Sequence, residues 1–249
     1  MNRFLKLNLI LTVILATLAF SNSAFAKKSD KTKATVEEKA APAAVAPPET
    51  TGPITYKMET VASTEKFEDA IILKSRSLIA GSQTTELKAV SIGLRKKAVF
   101  GLVPVRVYVA QLLAANPEKL IKTEDGIKSS LKTAGPVQLR LTFLRDLPGP
   151  KISESFKEGL EANGIKSKNL TAELTQVMNE ISAINEFKKG DSFSITGTWT
   201  ATSSTILLES TTEIKVITGS IDLADHIFSI WFGKAADGKL EDLKRALIK

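Results

Sequence analysis

His226 is the only histidine in the chain, and it follows Asp222 by one helical turn in a mostly apolar stretch. A metal site or a nucleophilic triad needs further partners, and none is visible, so His226 reads as a helix-surface or satisfied core residue. The chain has no cysteine, which excludes disulfides, thiolate zinc sites and a cysteine nucleophile. Arg145-Asp146 ends an alternating segment and reads as a local charge pair at a turn. Asn169-Leu170-Thr171 fits a glycosylation sequon, a weak three-residue pattern, and no phosphate-cradling glycine loop is present. What remains is Gly93 to Ala110, GLRKKAVFGLVPVRVYVA, with Arg95 near its start and Tyr108 near its end. Any function legible in the chain runs through this segment.

The segment reads as two strands around a turn. Val103, Val105, Val107 and Val109 alternate with Pro104, Arg106, Tyr108 and Ala110, which predicts a valine face toward the core and Tyr108 beside Arg106 on the other face. Pro104 cannot donate to a ladder and predicts a bulge or an edge position. Leu87 to Ile92 predicts the strand leading into an Arg95 turn. Val137–Phe143 and Phe193–Trp199 are clean alternations, and Thr205–Leu208 and Glu213–Thr218 are further strands. Between them lie a helix carrying Ile152, Phe156 and Leu160 and stopping at Asn163-Gly164, then a long amphipathic helix from Leu170 to Phe187. Ser220 is placed to cap a helix over Ile221–Phe232 that buries Trp231, and Asp237 to cap a last helix with the stripe Leu240, Leu243, Leu247. Phe67, Ile71 and Ile72 suggest a short helix or a helix-to-strand passage. Strand blocks with inserted helices make an α+β fold with a mainly antiparallel sheet.

GLRKK, VRVYVAQLL, LRLTFLRD, ISESFKEGLEANG, KKGDSF and ITGSIDLADHIFSIWFG occur in that order over roughly residues 85 to 248. This ordered set resembles the chalcone isomerase-like proteins of bacteria. The resemblance implies an open-faced β-sandwich, in which helices pack on a large antiparallel sheet and leave an apolar cleft. It places Arg95 on an arginine that holds the substrate phenolate in the plant enzymes and a carboxylate in the fatty-acid-binding relatives. It places Tyr108 on a tyrosine that supports that carboxylate. A guanidinium offers a planar two-donor fork and a phenol adds a third donor, so the chemistry suits an acid. The tyrosine and asparagine that complete the plant polar network fall near Ile152 and Gly159, neither of which can donate. The resemblance therefore implies non-catalytic, cofactor-free binding of a fatty acid or similar small amphipathic ligand. Its alternatives are an intramolecular lyase that isomerises a chalcone-like enone, and an interaction protein with a closed cleft.

Arg3 and Lys6, the apolar run Leu9–Phe20 and the Ser23-Ala24-Phe25-Ala26 pattern have the form of a signal peptide over residues 1–26, which predicts a periplasmic chain beginning at Lys27 with no later membrane span. Residues 27–54, rich in Ala, Pro, Lys and Glu, bury too little to fold and predict a linker. Residues 55–249 remain for one domain, ample for a core. The net charge is +7; the leader holds two of those cations and no acid, and the rest is dispersed, which does not favour nucleic acid. Oligomeric state is left open.

Overall fold

A computed structural model describes residues 54–61, 63–99 and 103–249. The predicted signal peptide over 1–26 and all but the last residue of the linker over 27–54 lie outside the described residues.

The central element is an antiparallel sheet of eight strands, all paired with neighbours close in the chain or reached over helices. In spatial order it runs β1 (Tyr56–Val61), β4 (Ser75–Ala80), β5 (Gln83–Val99), β6 (Val103–Ala114), β7 (Val137–Phe143), β10 (Ser192–Trp199), β11 (Ser203–Glu209) and β12 (Ile214–Ser220). Two short strand pairs stand apart: the hairpin β2 (Lys66–Phe67) with β3 (Ala70–Ile71), and β8 (Leu147–Pro148) with β9 (Glu186–Phe187). The α+β open-faced sandwich expected from the resemblance is the observed fold, with all the longer helices against one face of this sheet.

Alternation explains that face. Leu139, Leu141 and Phe143 on β7, Phe193 and Ile195 on β10, and Ile206 and Leu208 on β11 point to it and are buried. Onto them pack α2 (Gly149–Ala162), α3 (Ala172–Ala183), α4 (Leu223–Phe232) and α5 (Gly238–Leu247). α1 (Ile127–Ser130) is a single turn that buries Ile127 against the same core. Two glycines set how closely helices approach. A Cβ on Gly93 of β5 would lie 2.6 Å from Leu243 Cδ1, and one on Gly159 of α2 would lie 2.7 Å from Ile230 Cγ2.

The opposite face is polar and curls on itself. Arg76 of β4, almost wholly buried, reaches Gln138 on β7, Ser194 on β10 and both carboxylate oxygens of Glu209 on β11. Leu78, Leu87, Leu113 and Leu207 form a small apolar cluster on this side. The β2–β3 hairpin is tied down over it. Gln111 clasps the Leu73 backbone through N–H···Oε1 (3.0 Å) and Nε2···O (2.6 Å) bonds, and Arg106 donates to Glu68 (2.8 Å).

Several local expectations are corrected. The segment around Phe67–Ile72 is a hairpin of two short strands, not a helix. The second long helix spans only Ala172–Ala183, because Phe187 belongs to β9. Ser220 closes β12 and does not cap α4; Asp222 precedes that helix without a side-chain cap bond. Asp237 does cap α5, accepting the Leu240 N–H at 2.8 Å.

Candidate functional site

Arg95 is not in a turn. β5 runs through it to Val99, and Arg95 pairs directly with Tyr108 on β6. Opposite residues of an antiparallel pair share a face. Both side chains therefore stand on the helix-covered face, and both are buried, at 4% and 6% exposure.

Two bulges produce this pairing. Between Ala89 and Ser91, and again between Arg95 and Lys96, the register shifts by one residue, which leaves Val90 on β5 and Val107 on β6 as the extra residues. The shifts cancel: Lys88 faces Ala114 at one end of the hairpin and Val99 faces Val103 at the other, as in an unbroken ladder. Inside the window, Gly93, Arg95, Tyr108 and Ala110 come to the helix side. Outside it, Arg106 goes to the far face, where it meets Glu68. The expected valine face and the expected Tyr108–Arg106 neighbourhood both fail here, because simple alternation does not survive a bulge. Pro104 sits where β6 has no β7 partner, the edge position its chemistry requires.

The Arg95 fork is filled. Nη1 and Nη2 donate to Asp237 Oδ1 (2.8 Å) and Oδ2 (2.5 Å), and Nη1 also donates to the Lys96 carbonyl (2.5 Å). Burial, the largest single effect, pulls the guanidinium down, but the bond to Asp237 and the charge effects of Tyr108, Asp237 and Glu158 together outweigh it and the net shift is upward. Burial likewise pushes the Asp237 carboxyl up. The Arg95 and Leu240 N–H bonds carry it further the other way, to below the usual carboxylate range.

Tyr108 accepts a hydrogen bond from Trp231 Nε1 of α4 at 3.0 Å. No acceptor for its own hydroxyl proton lies within bonding distance among the described residues. Burial holds its pKa above the ordinary phenol value. Phe143 meets the Tyr108 ring edge-on at 6.1 Å, and Phe156 of α2 meets Trp231 at 4.9 Å. The sequence places Trp231 only on the buried face of its helix; its bond to Tyr108 comes from the fold.

A cleft of about 760 Å³ opens between β6 and α2; neither Arg95 nor Tyr108 lines it, but Val107, next to Tyr108 in the chain, does. Val105, Val107, Leu147 and Ile152 give it apolar walls. Lys97, Arg145 and Lys151 stand around it; Lys97 pairs with Glu158 (3.5 Å) and Lys151 with Glu154 (3.1 Å). Arg145 does not pair with Asp146, which instead accepts the Lys189 N–H at 2.7 Å. Ile152 thus lines the cleft, while Gly159 faces Ile230 of α4 and has no room for a larger side chain.

His226 is half-buried on α4, and among the described residues no group of His, Cys, Asp or Glu could hold a metal ion. Among the described residues, no helix is long and apolar enough to cross a membrane.

The family model described as chalcone isomerase-like matches residues 73–248. A solved structure of an Arabidopsis thaliana fatty-acid binding protein is similar over 76% of this chain and 96% of that one, with a TM-score of 0.52 and 15% identity, which establishes a shared fold. No curated protein matches the sequence.

Proposed function

We propose, for a chain that belongs to the chalcone isomerase-like family, a binding function: it holds a fatty acid or a similar apolar carboxylate and does not transform it. The observation that carries this reading is that Arg95, paired with Tyr108, grips a carboxylate by both oxygens, while Val105 and Val107 of the same strand as Tyr108 line a cleft against α2. That carboxylate is Asp237, and it marks where an acid head group would lie. The tail would run between β6 and α2, in a volume typical of ligand sites. Tyr108 supplies the further donor. The structural relative is itself called a fatty-acid binding protein, which agrees with the reading. Ring closure of an enone would need polar groups where Ile152 and Gly159 stand, so the lyase alternative has no support at those positions.

Calorimetric titration with hexadecanoic acid tests the proposal. Wild type should bind, and Arg95→Ala and Tyr108→Phe should each weaken binding by about 1 kcal/mol, the scale of one net hydrogen bond. Native mass spectrometry of the purified protein should show a bound lipid. A second reading, that the interior is self-filled and the surface meets a protein partner, draws on Asp237 occupying Arg95; absence of any acid binding would select it. We also propose export to the periplasm, from the leader pattern of residues 1–26.

A further inference from the structure

We infer that Asp237 is an internal competitor of the ligand, so that the carboxylate head binds Arg95 only when Asp237 leaves the fork. The inference rests on the binding reading above and adds to it a residue that sets specificity and availability. The end-on fork of Arg95 is taken: Asp237 occupies both terminal nitrogens, and the side chain is 5% exposed. An external acid that uses the same two-nitrogen fork must replace the acid already there.

The geometry lets Asp237 leave. Its side chain is 39% exposed, and it is the residue before α5, outside the helix proper. A cavity of about 370 Å³ lies against it, lined also by Lys97, Lys239 and Asp242. A released carboxylate would have room there; Lys239 already pairs with Asp242 (2.9 Å), so Lys97 is the cation it would meet, in competition with Glu158. Lys97 lines this cavity and the larger cleft alike, so the head-group position and the tail cleft meet at one residue.

Exchange changes what discriminates ligands. One Arg–carboxylate pair breaks as another forms, so the head group adds little net affinity in the wild-type protein. Tail burial and the Tyr108 hydroxyl proton then carry most of the binding. An acid and an alcohol of equal tail length should bind wild type with similar affinity. Removing the competitor should separate them.

Asp237→Asn is the decisive variant, because asparagine still caps a helix N-terminus through its side-chain oxygen. Asp237→Ser, also a capping residue, is the second variant should the first fold poorly. With hexadecanoic acid and hexadecanol as probes, the neutral variants should bind the acid at least about ten-fold tighter than wild type and the alcohol within about two-fold, since about 1.4 kcal/mol of released charge-assisted bonding gives a factor of ten. The loss on adding Arg95→Ala should be larger in the Asp237→Asn background than in wild type. Equal acid affinity in wild type and variants would overturn the competition while leaving acid binding in place. Equal gains for acid and alcohol would trace the effect to a loosened α5 and overturn it too. Binding of neither probe to any of the proteins would overturn both this inference and the binding reading.

Discussion

Arg76 and Glu209 form a two-oxygen ion pair, at 2.6 and 2.7 Å, although four strands of the sheet stand between theirs. The contact exists because the sheet twists and coils until β4 faces β11 across the concave side. It places a nearly buried guanidinium in a pocket whose other partners are Thr60, Gln138 and Ser194.

Glu209→Gln should cost about 3 kcal/mol in urea unfolding, because Arg76 is left buried without a counter-charge. The double change Arg76→Met with Glu209→Leu should cost less than the single one, since no charge is then stranded. A single variant as stable as wild type would show that the pair contributes nothing across the curl.

Asp237 links stability to acid pH. Its folded pKa lies below its unfolded value, so its contribution is present above the unfolded value of about 3.9 and lost as pH falls through the folded one. Thermal midpoints of wild type should exceed those of Asp237→Asn at neutral pH, and the gap should close below about pH 4. A gap that stays constant into strong acid would mean the Arg95 pair does not stabilise the fold.

Gly159→Asn restores in name the polar residue of the plant enzymes, but at this position a Cβ already meets Ile230. The variant should lose about 1–3 kcal/mol of stability from overpacking. Combined with Ile152→Tyr, it should not accelerate ring closure of a hydroxychalcone by more than about a few-fold, measured by absorbance. An acceleration of around 10⁶, the scale of true enzymes, would sink the binding-only function.

N-terminal sequencing of protein from the periplasmic fraction should begin at Lys27. Finding Met1 at the N-terminus of a membrane-bound form would replace the cleaved leader with an anchor.

The sequence makes the strands Val137–Phe143 and Ser192–Trp199 legible because each keeps a strict period of two with no bulge. Asp237 is legible as a cap because capping is local. Its pairing with Arg95 is not, since the two are 142 residues apart in the chain. Nothing local in the sequence singles out Arg76, and only the curl of the whole sheet buries it. Arg95 and Tyr108 are found through resemblance, but their common face is hidden, because period counting assigns Tyr108 to the side of Arg106.

The paired bulges at Val90 and Val107 also decide which changes of chain length the hairpin can absorb. Deleting a residue elsewhere within β6, between Tyr108 and Ala114, would carry every residue beyond it to the wrong side of the sheet. Val90 and Val107 are the exceptions, being surplus to the ladder. Either could be lost and Arg95 would still face Tyr108, with Arg106 still turned away. The hairpin therefore tolerates shortening at these two valines, where the cost of losing Val107 falls on the wall of the cleft and not on the pairing of the two strands.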